Sequence, residues 1–189
     1  RTNIYDTELL KSYVKNYEIT NDESVADIIV VNSCTVTNGA DSGVRSYINS
    51  MRNSGKKVIL TGCGAVSKGD ELFKSSAIFG VLGASNKSKI DEMLGKSEPF
   101  YELGDLNFID KNIVSNYENH TKAFIKIQEG CDFACSYCII PSVRGFSRSI
   151  DEDIILKEAK TLASNGYSEI VLTGTNIGSY GKGVGTSLG

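Results

Sequence analysis

The sequence predicts an α/β protein, with an N-terminal domain on a parallel sheet followed by the first βαβ unit of a β/α barrel. Short β-branched runs, such as residues 27–31 and 57–61, alternate with stretches of helical periodicity. This alternation is typical of parallel sheets covered by helices. A strand, a helix and a strand recur over residues 123–173. A complete β/α barrel needs several more such units, so we expect only its beginning here.

The N-terminal domain is predicted to contain three strands separated by helices. The strands are continuous apolar runs, which is typical of parallel strands buried on both faces. The helices are assigned from apolar residues at intervals of three and four. In chain order the predicted elements are a helix at 1–17, a strand at 27–31, a helix at 40–53, a strand at 57–61, a helix at 69–74, a strand at 77–82 and a helix at 86–94.

A linker is predicted at residues 99–121, because this segment mixes Gly, Asn, Asp and aromatic residues without a sustained period. The domain boundary is placed near residue 118, which gives domains at 1–117 and 118–189. The second domain is predicted to contain a strand at 123–128, a helix at 151–164 and a strand at 169–173. Acidic residues open that helix, where they suit the positive end of its dipole.

The composition narrows the class of protein. The 189 residues are 40% hydrophobic and 23% charged, which is ordinary for a globular protein. No run approaches the roughly 18 apolar residues of a membrane span, and no secretory leader is visible, so we expect a cytoplasmic protein without a membrane partner. Five cysteines, an odd number, argue against a disulfide framework. The net charge of −3 gives no broad basic surface, so nucleic acid would have to bind a local patch.

The most specific feature is a loop with three cysteines directly after the strand at 123–128. Cys131, Cys135 and Cys138 have the spacing C-x3-C-x2-C. Thiolates bind iron–sulfur clusters, and a four-iron cluster normally takes four of them. Three ligands leave one iron open for a small molecule, as a catalytic zinc site keeps an open position. A zinc site or buried thiols are the alternatives. Zinc motifs usually bring Cys or His in pairs, and the only histidine, His120, precedes the strand.

This loop, with Tyr137 before the third cysteine, resembles the signature of the radical S-adenosylmethionine (SAM) enzymes. The following residues, Ile140-Pro-Ser-Val-Arg-Gly145 and Ser147-Arg148, are similar to the continuation found in the methylthiotransferase branch. The resemblance implies a [4Fe-4S] cluster at Cys131, Cys135 and Cys138, whose open iron binds SAM. It also implies that one electron from the cluster cleaves SAM to methionine and a 5′-deoxyadenosyl radical.

Four further residues are candidates for binding the cofactor. Gly174 and Asn176 lie in a T-G-x-N-I stretch that resembles the family's segment near bound SAM, although the same residues also suit a strand-to-helix turn. Arg144 follows the cysteine loop and suits an anionic contact with SAM or a tRNA phosphate, or is simply a surface cation. Tyr137 is the fourth candidate, because it directly precedes the third cysteine of the signature.

Cys34 follows the predicted strand at 27–31, and Cys63 lies in a predicted loop, residues 62–64, after the strand at 57–61. Ligands of parallel sheets bind beyond the carboxyl ends of the strands, although free cysteines are more often small buried residues. The sequences Asn-Ser-Cys34 and Thr-Gly-Cys63 resemble the motifs that hold a second, auxiliary [4Fe-4S] cluster in methylthiotransferases. Asn3 and Asp6 match the end of the family motif G-C-x-x-N-x-x-D, which would place its cysteine immediately before Arg1. We therefore expect an internal fragment of a longer enzyme, inactive by itself.

The stretch Cys34-Thr-Val-Thr-Asn38, followed by Ala40 and Asp41, resembles the branch that modifies N6-threonylcarbamoyladenosine at tRNA position 37. Residues 43–45 read Gly-Val-Arg where that branch typically has Lys-Ser-Arg. The resemblance implies a monomeric tRNA methylthiotransferase that acts on the anticodon loop and receives electrons from an external one-electron reductant. The alternatives are a methylthiotransferase for isopentenyladenosine-37 or a ribosomal protein, and a non-catalytic iron–sulfur or zinc protein.

Overall fold

The fold was analysed in a computed structural model that describes residues 1–34, 38–118 and 120–188, with the backbone alone for residues 38–41. The chain divides into two compact units. The terminal unit consists of Arg1–Ser12 and Asn107–Gly189, and the central unit consists of Tyr13–Leu106.

The described residues form an alternation of strands and helices, with short 3-10 helices at Ala84–Lys89 and Ile177–Ser179. In chain order the elements are α1 (Thr2–Ser12), β1 (Ile28–Ser33), α2 (Asn38–Asn53), β2 (Lys57–Gly62), α3 (Cys63–Ser67), α4 (Gly69–Lys74), β3 (Gly80–Leu82), α5 (Ile90–Leu94), β4 (Phe100–Glu102), β5 (Ala123–Glu129), α6 (Ile140–Arg144), β6 (Arg148–Ser149), α7 (Glu152–Ser164) and β7 (Ile170–Gly174). None of the helices in these ranges is long and apolar enough to cross a membrane.

The central unit contains a four-stranded sheet in the order β1-β2-β3-β4, and all of its described pairs are parallel. Ile59, Leu60 and Val81 are fully buried in this sheet, and Ile48 of α2 is fully buried as well. The continuous apolar character of β2 and β3 is therefore explained by helices on the sheet. Asn32 pairs with Thr61 and Ser33 with Gly62, so β1 and β2 end side by side.

The terminal unit contains a three-stranded sheet in the order β6-β5-β7. β5 and β7 are parallel and are joined through α7, which confirms the predicted βαβ unit, while the two-residue strand β6 pairs antiparallel with β5. Ile125 and Ile127 of β5, Leu162 of α7 and Leu9 of α1 are buried in this unit. The predicted α/β class is confirmed.

Several predicted boundaries are wrong. The first helix ends at Ser12 rather than at residue 17, the third strand is reduced to Gly80–Leu82, and the helix at 86–94 is part 3-10. The predicted linker contains β4, whose buried Phe100 packs edge-on against Phe79 with 6.1 Å between ring centroids. A three-residue strand is too short for a periodicity to reveal. The short elements α6 and β6 were missed for the same reason.

The compact units also divide the chain differently from the domain boundary at residue 118. α1 and residues 107–117 pack with the C-terminal part of the chain, although they precede that boundary. Tyr5 of α1 and Val114 both contact the carboxylate of Glu158 on α7, with Tyr5 Oη 3.5 Å from Oε2 and Val114 N 2.8 Å from Oε1. The division into 1–117 and 118–189 stays a prediction about domains, since compactness alone does not define a family domain.

Glu158 is buried at 2% exposure in the core of the terminal unit. Its burial raises the pKa of the carboxyl from 4.5 to about 7, and the hydrogen bonds from Val114 and Tyr5 only partly oppose this effect. The folded protein therefore binds a proton at this side chain over a pH range in which the unfolded chain has released it.

We expect Glu158→Gln to remove a pH dependence of stability. As the pH rises from about 4.5 to 7, the wild-type free energy of unfolding should fall relative to the variant, because the unfolded chain binds fewer protons than the folded protein. At 1.36 kcal/mol per pKa unit the difference is about 3 kcal/mol. Urea unfolding of both proteins at pH 4.5, 5.5 and 7 measures it. Parallel pH profiles would show that the carboxyl titrates normally.

Candidate functional site

The three-cysteine loop leaves the buried strand β5 through Gly130. This glycine has φ +75°, and a Cβ there would lie 2.0 Å from the carbonyl oxygen of Phe146. Only glycine adopts this conformation at no steric cost. The chain then returns along β6, and the N–H of Cys131 donates to the carbonyl of Gly145 at 3.1 Å. The loop is therefore closed at its base.

The thiols of Cys131, Cys135 and Cys138 are free, and Cys135 is exposed while the other two are half-buried. Residues 132–137 between them are all exposed. Across the described ranges, no three Cys, His, Asp or Glu side chains converge closely enough to hold a metal ion. The donor set nevertheless fits a [4Fe-4S] cluster with one open iron, because three unpaired thiols lie on one accessible loop.

The loop after β7 approaches the base of the cysteine loop. The backbone N–H of Asn176 donates to Gln128 Oε1 at 2.7 Å, and Asn176 Nδ2 lies 4.0 Å from Cys131 Sγ. Gly174 lies against Gln128, where a Cβ would be 2.9 Å from Oε1. Of the predicted cofactor residues, Asn176 is thus adjacent to the first cysteine, and Gly174 is adjacent to Gln128 at the base of the loop.

Arg144 ends α6 and faces carboxylates. Its Nη1 atom lies 3.1 Å from Glu129 Oε1 and 3.6 Å from Asp6 Oδ2, and only 11% of the side chain is exposed. The predicted contact with SAM or a tRNA phosphate stays a prediction, and the structure gives this cation two anionic partners within the chain. Tyr137 is 91% exposed on the cysteine loop, and its contact with the cofactor likewise stays a prediction.

A buried charge cluster connects α1 to β5. Lys126 Nζ lies 2.7 Å from Asp6 Oδ1 and 3.0 Å from Glu129 Oε2. Arg144 contacts both of these carboxylates, and Arg148 Nη2 is 3.5 Å from Glu129 Oε2. Burial alone lowers the pKa of the Lys126 ammonium, but the two carboxylates outweigh it and hold the pKa above its ordinary value. Lys126 is therefore charged, and these residues fix the strand end that carries the cysteines.

In the central unit, Cys34 follows β1 and Cys63 follows β2. Cys34 is half-buried and Cys63 is 2% exposed. The predicted loop at Cys63 is wrong, since Cys63 begins α3. Residues 35–37 of the Cys34-Thr-Val-Thr-Asn38 stretch lie outside the residues that the structure describes.

The carboxyl ends of β1 and β2, beside these two cysteines, are closely packed and partly polar. Gly62 has φ +78°, and a Cβ there would lie 2.4 Å from Asn32 Oδ1 and 2.6 Å from Ser33 O. Thr61 Oγ1 is buried and has no hydrogen-bond partner in the described part of the chain. A close-packed glycine and an unsatisfied hydroxyl are compatible with a ligand at this edge, so the two thiols remain candidates for an auxiliary cluster.

Two protein-family models match the chain. Residues 1–83 match the uncharacterized protein family UPF0004, and residues 125–184 match the radical SAM superfamily. A Helicobacter pylori relative that carries a provisional methylthiotransferase name is 50% identical over the whole chain. Along its whole length the chain is similar to radical SAM methylthiotransferases. This confirms the family expected from the sequence, and the chain spans 46% of that relative's length.

Other methylthiotransferase relatives have names that specify different nucleosides. The threonylcarbamoyladenosine tRNA methylthiotransferase MtaB of Aquifex aeolicus is 37% identical, over 100% of this chain and 48% of its own length. The tRNA-2-methylthio-N(6)-dimethylallyladenosine synthase of Campylobacter hominis is 38% identical, over 95% of this chain and 43% of its own length. Overall identity therefore does not separate the two branches.

A solved structure supports the fold of this chain. The radical SAM methyltransferase TsrM of Kitasatospora setae, solved with tryptophan and a SAM analogue, matches with a TM-score of 0.59 at 14% identity. The match covers 92% of this chain and 44% of TsrM.

The sequence analysis did not predict the charge cluster or the contacts of Gln128. The available signal was two charged residues and a glutamine at the end of a β-branched strand, Ala123–Glu129.

Proposed function

We propose that the chain is part of a tRNA methylthiotransferase that uses radical SAM chemistry. The observation that carries the proposal is the loop of three free cysteines at the carboxyl end of β5, in a chain whose relatives carry methylthiotransferase names. The target is a base carbon without a good leaving group, which resists polar substitution. The difficult chemistry therefore falls to the cofactors, while the protein positions the groups.

Each cysteine set has its own role in this proposal. Cys131, Cys135 and Cys138 hold the [4Fe-4S] cluster that binds SAM, and Cys34 and Cys63 contribute to the auxiliary [4Fe-4S] cluster. When bound, the first cluster and SAM supply the radical that abstracts a hydrogen atom, and a second SAM supplies the methyl group for the sulfur. The contacts of Gly130 and Gln128 orient the cysteine loop.

We propose N6-threonylcarbamoyladenosine at tRNA position 37 as the substrate nucleoside. Support comes from the Cys34-Thr-Val-Thr-Asn38 stretch and from the MtaB relatives of Aquifex aeolicus and Bacillus subtilis, which are 37% and 34% identical. The second candidate is an isopentenyl-type adenosine at the same position, because several relatives at 34–38% identity are named dimethylallyladenosine synthases. A ribosomal protein substrate is the third candidate.

The proposed reaction also implies a cellular compartment, a reductant and an oligomeric state. A tRNA substrate places the enzyme in the cytoplasm, and the cluster needs an external one-electron reductant. We propose a monomer, since one chain would supply the ligands of both clusters. The competing class is a non-catalytic iron–sulfur or zinc protein, but an electron carrier usually completes its cluster with a fourth cysteine.

The full-length protein tests this function. With SAM and reductant it should form 5′-deoxyadenosine, which an electron carrier does not do. In a deletion strain, nucleoside mass spectrometry should show threonylcarbamoyladenosine accumulating without its methylthio group, and the wild-type copy should restore the group. If the isopentenyl nucleoside loses its methylthio group instead, the proposed substrate is wrong, but the proposed methylthiotransferase reaction still holds. Absence of 5′-deoxyadenosine would contradict the chemistry.

A further inference from the structure

Gln128 is a fully buried side chain at the end of β5, and all of its polar atoms are used. Its Nε2 atom donates to the carbonyls of Glu129 at 3.0 Å and Gly130 at 2.8 Å, and lies 3.0 Å from Ser147 Oγ. Its Oε1 atom accepts from the backbone N–H of Asn176 at 2.7 Å. One amide therefore joins three chain segments: the start of the cysteine loop, its return and the loop after β7.

The backbone around Gln128 is shaped to allow this contact. The pairing of β5 with β7 shifts register between Lys126 and Gln128, so that Gln128 lies opposite Gly174. A Cβ at Gly174 would meet Gln128 Cβ at 3.0 Å and Gln128 O at 3.1 Å. Such a bulge beside a ligand site re-aims side chains. It directs the loop after β7 towards Cys131.

Asn176 is held in place by its neighbours. Its backbone is fixed by Gln128, and its Nδ2 atom donates to Ser179 Oγ at 2.9 Å. The same Nδ2 atom lies 4.0 Å from Cys131 Sγ. Because an amide nitrogen carries two hydrogens, it can donate to the hydroxyl and to the sulfur together.

We propose that Asn176 donates an N–H···S hydrogen bond to the Cys131 thiolate of the cluster, and that Gln128 positions it for this role. Hydrogen bonds to cluster sulfurs are one of the factors that set the reduction potential. A donor stabilises the more negatively charged, reduced cluster and so raises the potential. Asn176 therefore makes the cluster easier for the external reductant to reduce, and it lowers the driving force of the later electron transfer from cluster to SAM by the same amount. This inference rests on the proposed cluster at Cys131, Cys135 and Cys138.

The test is the midpoint potential of that cluster in Asn176→Leu, which keeps a similar volume but removes the donor. The full-length protein is reconstituted without oxygen in a Cys34→Ala/Cys63→Ala background, so that the Cys131 loop is the remaining site, and the reduced cluster is titrated by electron paramagnetic resonance without SAM. At a fixed potential the ratio of reduced to oxidised cluster should fall on the order of tenfold, which for one electron is about 59 mV.

Two further variants distinguish a positioning role of Gln128 from a general disturbance of the segment after β7. Gln128→Met should lower the potential in the same direction, because the backbone of Asn176 loses its anchor. Tyr180→Phe is the matched control, since it removes the hydrogen bond from Tyr180 Oη to Ile150 O at 3.2 Å in the same segment, and its potential should equal that of the parent. Iron and sulfide analysis verifies the cluster in each protein.

An unchanged or higher potential in Asn176→Leu, with a full cluster, would overturn the role of Asn176 and leave the proposed function intact. If the parent binds no cluster at the Cys131 loop, this inference and the proposed cofactor site both fail. A shift of equal size in Tyr180→Phe would also overturn the inference, because the effect would then belong to the segment as a whole.

Discussion

Replacement of Cys131, Cys135 and Cys138 by alanine is expected to remove one complete [4Fe-4S] cluster from the full-length protein. Four irons per chain should be lost, because no other thiol lies in the exposed loop that these residues form. Formation of 5′-deoxyadenosine should stop at the same time, since SAM then has no open iron to bind. Iron and sulfide analysis after anaerobic reconstitution measures the first effect, and chromatography of the reaction products measures the second.

The matched control for this loss is Ser136→Ala, a change of similar size on the same exposed stretch. It should keep the iron content and the activity of the wild-type protein. Cys34→Ala/Cys63→Ala should retain the cluster of the Cys131 loop and lose the auxiliary iron, which separates the two sites. Unchanged iron content in the triple variant would disprove the assignment of the loop.

Lys126→Met is expected to lower the free energy of unfolding of the terminal unit by about 3–5 kcal/mol. The substitution keeps the length of the side chain but leaves Asp6 and Glu129 buried without their closest cation, at original distances of 2.7 and 3.0 Å. Arg144 and Arg148 offset only part of this loss, because their contacts are longer: Arg144 lies 3.6 Å from Asp6 and 3.1 Å from Glu129, and Arg148 lies 3.5 Å from Glu129. Urea unfolding, together with hydrogen exchange of the β5 amides, measures the change within this unit.

Lys122→Met provides the control, since Lys122 pairs with Glu169 at the other end of the strand while 52% of its side chain is exposed. A surface pair of this kind contributes at most about 1 kcal/mol, so this variant should resemble the wild type. Adding Asp6→Asn to Lys126→Met should recover part of the lost stability, because one of the two buried carboxylates that lost Lys126 is then neutral. Equal stabilities of the Lys126 and Lys122 variants would show that the charge cluster does not hold α1 to β5.

The sequence alone predicted the parts of the site that depend on local spacing. The interval between Cys131, Cys135 and Cys138 predicts a cluster loop from the sequence alone. The apolar run of β5 likewise predicts that strand without any knowledge of its neighbours. The α/β class and the βαβ order follow from the same local periodicities. The helices and strands that the sequence did not predict were those of two to five residues, such as β4, β6 and α6.

Only the tertiary structure decided what surrounds the cysteines. Lys126 meets Asp6 across 120 residues of chain, and Gln128 meets Asn176 across 48. No periodicity predicts such pairs, because each depends on how separate elements pack. The same packing placed carboxylates against Arg144, which the sequence suggested either as a contact for SAM or a tRNA phosphate or as a surface cation. The spacing of the cysteines is a local property of the chain and could be read from the sequence. The charges and hydrogen bonds around those cysteines arise only when distant elements are buried together.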